Sequence, residues 1–359
     1  MTVSAITQLT ENYTGTRIKM NQKKINRETL LNELESVRAG LSRQEVLEQS
    51  TCFIFQDGFV KTYNDEISCR QKSILDFTGA VQAEPLLQIL RKLTEDEIKI
   101  TTNESEFLIE GKRRKASIRM DDKILLPVDR IEHSDNWKNL DEEFGDAVQL
   151  VTQVAGTDES QFMLTCIHLT NEFIEASDNY QISRFKISTD VEQPTLIRKE
   201  SIKHVAELGV TEFSESENWI HFRNPTGLVL SCRRYNDEAG DFPELDSILD
   251  FKGIQTTLPS SLAEAVDKAE VFSTTSTDTN FVTVELKSTG KLRIKGEGNF
   301  GWFTETKKVN YSGGDISFRI SPKLLSDIAK KHNDCEITDN RLKVESDGFV
   351  YVTSLSVVE

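Results

Sequence analysis

Long apolar runs are missing from this 359-residue sequence. None approaches the roughly 18 residues that a membrane-spanning helix needs, and the polar N-terminus holds no signal-peptide core. A cytoplasmic chain with no membrane partner is the expectation. Paired cysteines are missing too. The five that occur, Cys52, Cys69, Cys166, Cys232 and Cys335, lie far apart with no CxxC spacing, which excludes a zinc ribbon or dithiol redox motif and predicts buried, reduced thiols. Five histidines, His133, His168, His204, His221 and His332, show neither HExxH nor another ligand spacing, so no metal is expected. Nor is there an excess of positive charge. With 43 Lys and Arg against 59 Asp and Glu, the net charge is -16. The mean field of such a chain repels phosphates, so nucleic-acid binding requires bases segregated on one surface.

Catalytic signatures are equally scarce: P-loops, serine elbows and kinase motifs do not occur. Gly296, Gly298 and Gly301 satisfy GxGxxG after a plausible strand at Lys291–Lys295. A dinucleotide site needs a helix next, whereas Trp302–Tyr311 alternates like a strand, which predicts a hairpin loop. Asp141, Glu142 and Glu143 open a predicted helix, where the macrodipole favours carboxylates without any catalytic role. A large, regular chain without a site points to a scaffold or binding protein, with no enzyme activity and no cofactor.

What the sequence does contain is a unit used three times, a short amphipathic helix running into a pair of strands. Leu86–Leu93 reads LLQILRKL, with Leu86, Leu87, Ile89, Leu90 and Leu93 on one stripe. Strands at Glu97–Thr101 and from Glu106 towards Met120, through a basic turn at Lys112–Lys115, follow it. The same order returns at Ser201–Leu208 and again at Leu324–Lys331. Taking Leu86, Ile202 and Leu324 as equivalent, the spacing is about 116 and then about 122 residues. A second helix opens each copy: Arg27–Arg38, capped by Asn26; Asp141–Val154; and Ser260–Phe272. The remaining segments alternate or carry turn signals, including strands predicted from Arg17 to Ile25 and at Phe162–Leu169. The class is therefore α+β with antiparallel sheets, because the strands are joined by tight turns and not by helical crossovers. Three similar domains are expected at residues 17–130, 131–250 and 251–359, after a disordered leader at 1–16.

Positive charge recurs at the helices and their flanks. Lys23, Lys24, Arg27, Arg38 and Arg43 surround the first helix, and Arg91 and Lys92 lie on the second. Arg198, Lys199, Lys203, Lys268, Lys323, Lys330 and Lys331 occupy comparable places later. One such residue marks a solvated helix face. Recurrence at the same element in three copies implies a local positive surface that contacts phosphates without reading bases. The helix Asp141–Val154 departs from this pattern, with no base at all.

Across residues 17–359 the chain resembles the bacterial DNA polymerase III beta subunit, the sliding clamp. The likeness is carried by RETLLNELESV at Arg27–Val37, LLQILRKL, SDNYQISRFKI at Ser177–Ile187, RKESIKHVAEL at Arg198–Leu208, DFPELDSIL at Asp241–Leu249 and SLAEAVDKAEVFS at Ser261–Ser273. The resemblance implies three domains in a crescent and a head-to-tail homodimer closed into a ring. Sheets would lie outside and helices would line a channel for double-stranded DNA. Its partners would be a DNA polymerase and a clamp loader, and the cations Lys24, Arg27, Arg38, Arg43, Arg91, Lys92, Arg198, Lys199, Lys203, Lys268, Lys323, Lys330 and Lys331 would touch DNA. The resemblance also implies a peptide cleft between the second and third domains. Carried over residue by residue, the family's TDGHRL stretch falls on Ser177–Ile182, its FPDYRRV on Phe242–Ile248, and its C-terminal tail on Thr353–Val357. The implied contacts are Ser177, Asn179, Tyr180, Gln181, Ile182, Pro243, Ser247, Ile248, Val352 and Leu355. The Gly, His and Arg of the first stretch and both Arg of the second are replaced here, which fits a diverged clamp of phage or plasmid origin with partners of its own. The alternative is a clamp-like binding or decoy protein that no longer encircles DNA.

Overall fold

The computed structural model describes residues 21–131, 136–236, 242–273, 280–331, 333–338 and 340–354. The expected leader at 1–16, the start of the first strand at 17–20, His133, His332 and Leu355 lie outside the described residues. Strand β1 (Asn21–Asn26) runs into helix α1 (Arg27–Ser36), followed by β2 (Cys52–Gln56), β3 (Phe59–Tyr63), β4 (Ile67–Lys72) and β5 (Gly79–Gln82). Helix α2 (Ala83–Lys92) and strands β6 (Glu97–Thr102), β7 (Glu106–Glu110) and β8 (Lys115–Asp121) come next. The order restarts with β9 (Lys138–Asn139), α3 (Phe144–Val151), β10 (Cys166–Leu169), β11 (Phe173–Ser177), β12 (Gln181–Lys186) and β13 (Thr195–Arg198). Two short helical pieces, α4 (Lys199–Ile202) and α5 (His204–Leu208), lead to β14 (Glu212–Glu215), β15 (Trp219–Arg223) and β16 (Val229–Asn236). After α6 (Asp246–Leu249), the third passage has β17 (Ile254–Thr257), α7 (Leu262–Glu270), β18 (Val282–Lys287), β19 (Lys291–Gly298), β20 (Gly301–Lys308) and β21 (Ile316–Ile320). It ends with α8 (Pro322–Lys331), β22 (Asp334–Ile337), β23 (Arg341–Ser346) and β24 (Phe349–Ser354). Strand, helix, four strands, helix, three strands thus occurs three times among the described residues, with the second helix broken in the middle passage.

The described residues pack as two compact units, one drawn from 21–140 and 207–234, the other from 141–206 and 235–354. These boundaries cut through the middle passage, and ladder pairing explains why. In the first unit, antiparallel pairs link β1-β6-β7-β8-β5-β2-β3-β4, and Val229–Cys232 of β16 pair with Arg70–Ile67 of β4, so β16, β15, β14 and β9 extend the same ladder. In the second unit, β13-β10-β11-β12 continue through β24 into β23, β22 and β17, because Gln181–Phe185 pair with Thr353–Phe349. A separate four-stranded sheet in that unit has the order β20-β19-β18-β21. All these pairs are antiparallel, as the tight turns predict.

Periodicity in the sequence becomes burial in the fold. Asn26 caps α1 by accepting from the Thr29 amide at 2.9 Å, and Leu30 and Leu34 of α1 are buried in the same unit as Leu86, Leu87 and Leu90 of α2. In the second unit Leu262, Ala265, Val266 and Ala269 of α7 and Leu324, Leu325 and Ile328 of α8 are buried. Each such leucine contributes about 1.5–3 kcal/mol relative to an exposed one. Pro322 takes the first position of α8, where its missing amide hydrogen costs nothing. The GxGxxG stretch is the β19–β20 hairpin, with Gly298 opposite Gly301. Gly296 is required by packing: a Cβ there would come 1.9 Å from the Ala269 carbonyl oxygen of α7.

All five thiols lie in strands, buried and unbridged. Burial pushes Cys52 up to about 11 and Cys69 and Cys335 to about 12, which suppresses the reactive thiolate. No helix among the described residues is long and apolar enough to cross a membrane.

Candidate functional site

The expectation of a strand at Phe162–Leu169 is corrected by the structure. Residues Glu159–Thr165 form a 3-10 turn, and the strand begins only at Cys166. Asp158 starts this turn, its carboxylate accepting from the Ser160 amide at 2.9 Å and hydroxyl at 2.7 Å. The turn places Phe162, Met163 and Leu164 along one wall of a cavity of about 670 Å³ in the second unit. The β11–β12 turn supplies Ser177, Asp178 and Asn179, and the segment before and within α6 supplies Pro243, Leu245 and Ile248. Four residues expected in the cleft, Ser177, Asn179, Pro243 and Ile248, therefore meet in one cavity.

The other expected residues take different places. Ile182 and Val352 are buried opposite each other on β12 and β24, in a cluster with Leu245 and against Phe242, Ile248, Leu249, Phe251 and Val350. They share this cluster with two residues of the cavity lining, Leu245 and Ile248. Tyr180 stands 71% exposed beside Asn179. Gln181 accepts from the Tyr351 hydroxyl at 2.7 Å. Ser247 is exposed on α6 and outside the cavity lining. Sequence reasoning missed the Ser160–Leu164 wall and Leu245. The available signal was Asp158 two residues before Ser160, a capping residue that precedes an apolar run.

Two polar devices shape the walls. Asp178 turns the chain by accepting from the Tyr180 amide at 2.7 Å and the Gln181 amide at 2.6 Å. Burial pushes its carboxyl above the ordinary carboxylate range, and those amide bonds oppose the shift. Arg184 of β12 clips α6 to the sheet: its Nε donates to the buried Glu175 at 2.7 Å and its Nη1 to Asp246 at 2.5 Å. His168 lies 2.8 Å from Glu175 through Nδ1 and packs its ring on Phe242 at 4.7 Å. The clip thus ties the α6 segment, which carries Leu245 and Ile248, to β10, β11 and β12.

The cations expected to meet DNA are mostly engaged with the protein. In the first unit Lys24 pairs with Glu97, and Glu35 takes both Arg91, whose Nε lies at 3.0 Å, and Arg38 at 3.8 Å. Arg27 donates to the Leu90 carbonyl at 3.1 Å and the Glu95 carbonyl at 3.2 Å, closing the end of α2. Arg43 and Lys92 are exposed with no ion pair among the described residues. In the second unit Arg198 pairs with Glu159, Lys203 with Glu200, and Lys268 with Glu305 at 3.1 Å. Burial lowers the Lys199 ammonium, whose Nζ donates to the Ala155 carbonyl at 2.8 Å. Lys323 and Lys330 are exposed; the side chain of Lys331 lies outside the described residues.

No protein-family model matches the sequence, and no curated protein matches it. Solved structures do match. The DNA polymerase III subunit beta of Pseudomonas aeruginosa is 15% identical, with 94% of this chain and 100% of that one covered, at a TM-score of 0.69. The DNA polymerase sliding clamp of Bacillus subtilis is 14% identical, with 96% and 100% covered, at 0.71. The beta subunit from DNA polymerase of Streptococcus pyogenes is 16% identical, with 94% and 100% covered, at 0.71. The chain therefore has the α+β fold of the bacterial DNA polymerase III beta subunit, the sliding clamp, in a strongly diverged sequence.

Proposed function

We propose that this protein is a DNA sliding clamp, a non-enzymatic processivity factor that encircles duplex DNA as a head-to-tail homodimer and tethers a polymerase and other partners. The observation that carries this reading is the likeness to clamps along nearly the whole of both chains. Threefold recurrence of the element order supports three domains at 17–130, 131–250 and 251–359, and their helices would be turned towards DNA. The exposed Arg43, Lys92, Lys323 and Lys330 are the cations best placed for phosphate contact, joined by the paired ones when DNA competes for them. Buried reduced thiols fit a cytoplasmic setting. The cavity around Phe162, Leu245 and Ile248 is the proposed partner cleft between the second and third domains.

For the subunit contact we assign two sheet edges. Strand β20 pairs only with β19 among the described residues, and Phe300 (89% exposed) and Trp302 (64% exposed) stand at its hairpin end. Strand β8 is paired with β7 along Lys115–Arg119 and has no partner on its other side there among the described residues, with Lys115 and Arg119 exposed, as are Lys112, Arg113 and Arg114 in the turn before it. An open edge is a template for pairing with another chain, and β20 of one protomer with β8 of the next would repeat head to tail.

Charge compensation on the helices favours a second reading, a clamp-like protein that binds partners without encircling DNA. Retention on plasmid separates the two. A clamp loaded on nicked circular DNA stays bound through gel filtration in high salt and is lost when a restriction enzyme linearises the circle. Equal loss from circular and linear DNA favours the second reading.

A further inference from the structure

We infer that the cavity takes a linear peptide whose apolar anchors are flanked by lysine or arginine, an inference that rests on reading the cavity as a partner cleft. The three segments that form it, residues 158–165, 177–181 and 242–250, contain Asp158, Glu159, Asp178, Glu244, Asp246 and Asp250, and no Lys, Arg or His. The cations nearby come from β12, the end of β13 and the start of α4, and each has a partner in the protein. Arg184 serves Glu175 and Asp246, Arg198 serves Glu159, and Lys199 serves the Ala155 carbonyl. Asp158, Glu244 and Asp250 are left with no ion pair among the described residues, and Asp178, also outside any ion pair there, feels the charge of Lys199.

The interior of the same cavity is apolar, with Phe162, Met163, Leu164, Leu245 and Ile248 on its walls. Apolar walls supply affinity, and surrounding charge selects the partner and speeds encounter. An acidic peptide would meet like charge on all three segments. A basic one meets opposite charge on all three, and Tyr180, exposed beside the lining residue Asn179, offers an aromatic face to a cation. Asp178 adds a partly buried carboxyl in the lining itself, whose charged form burial disfavours and a ligand cation would favour.

The test uses the full chain and peptide arrays. A five-residue core randomised over Leu, Ile, Val, Phe, Met, Ser and Gln is flanked by two lysines, two serines or two glutamates at each end. The tightest core from each array is then measured by fluorescence polarisation at low and high salt. We expect at least tenfold tighter binding for lysine flanks than for glutamate flanks at low salt, with the gap narrowing at high salt. Glu244→Gln with Asp250→Asn, both exposed, should shrink the gap between lysine and glutamate flanks at least threefold. Glu264→Gln with Glu270→Gln on α7, which lines none of the cavity, should leave the gap intact. Glutamate-flanked peptides that bind as well as lysine-flanked ones would overturn the charge inference while leaving the cleft reading standing. A gap that responds equally to both double variants overturns it too, because net charge alone would then explain the preference. Silence of all three arrays overturns the cleft reading and the inference together.

Discussion

The cavity and the helix surfaces treat charge in opposite ways. On the helix surfaces many cations are tied to carboxylates, since Arg91 and Arg38 share Glu35, Lys203 holds Glu200 and Lys268 holds Glu305, while Arg43, Lys92, Lys323 and Lys330 stand apart. Around the cavity, Glu159 and Asp246 are paired, and the other four carboxylates form no ion pair among the described residues. A largely compensated surface holds phosphates weakly and without register, as the proposed sliding would require. An apolar recess with uncompensated charge of one sign suits a partner held in one place. On the clamp reading, the difference fits movement along DNA at one region and partner attachment at the other.

The largest effect is expected where the cavity wall is clipped. Arg184→Ala leaves the buried Glu175 without its guanidinium and frees Asp246, which should destabilise the protein by about 3 kcal/mol. Thermal unfolding reads the loss directly, and peptide binding should weaken with it. Next, Ile248→Asp puts a charge against apolar walls and should cost about 2 kcal/mol of peptide affinity, roughly thirtyfold. Sedimentation should find the oligomer unchanged, and a variant that still binds peptide normally would remove Ile248 from the cleft.

On the helix surfaces the effects are smaller. Replacing Arg43, Lys92, Lys323 and Lys330 together by Ala should lower DNA affinity about tenfold at low salt and flatten the slope of log K against log salt by up to about 0.9 per lost phosphate contact. Replacing the paired Lys24, Lys203 and Lys268 should change that slope less. A reversed ranking would mean that the ion pairs open fully on DNA and that the two regions differ less than proposed.

The smallest effect concerns pH. Because burial raises the Asp178 carboxyl in the folded protein above its unfolded value, the native chain holds this proton longer. Its contribution to stability is full below the unfolded value and is lost as pH rises through the folded one. Asp178→Asn keeps an oxygen for the Tyr180 and Gln181 amides but has no proton to lose. Its unfolding temperature should exceed the parent's at neutral pH and converge with it below the carboxylate range. Parallel curves would contradict the desolvated carboxylate.

Much of this was legible in the sequence, for identifiable reasons. The stripe Leu86, Leu87 and Leu90 announced α2, Asn26 announced the cap of α1, and the alternation after Gly301 announced a strand where a nucleotide fold needs a helix. The missed wall at Ser160–Leu164 has a different origin. Phe162–Leu164 is apolar and runs straight into Cys166–Leu169, so local pattern favours one long strand, and only the Asp158 cap argues for a turn. The ion pairs could not be read at all, since Lys24 and Glu97, Arg91 and Glu35, and Lys268 and Glu305 are brought together only by the tertiary fold. Likewise the two packed units follow from β4–β16 and β12–β24 ladders, which a repeat spacing does not reveal.

The central claim is a closed ring of two copies, and one combined measurement meets it directly: molar mass in solution together with electron-microscope images of the same particles. The account predicts a mass near twice 40.7 kDa and a ring with a hole wide enough for duplex DNA. A stable particle of 40.7 kDa, or a dimer with no hole, would contradict it.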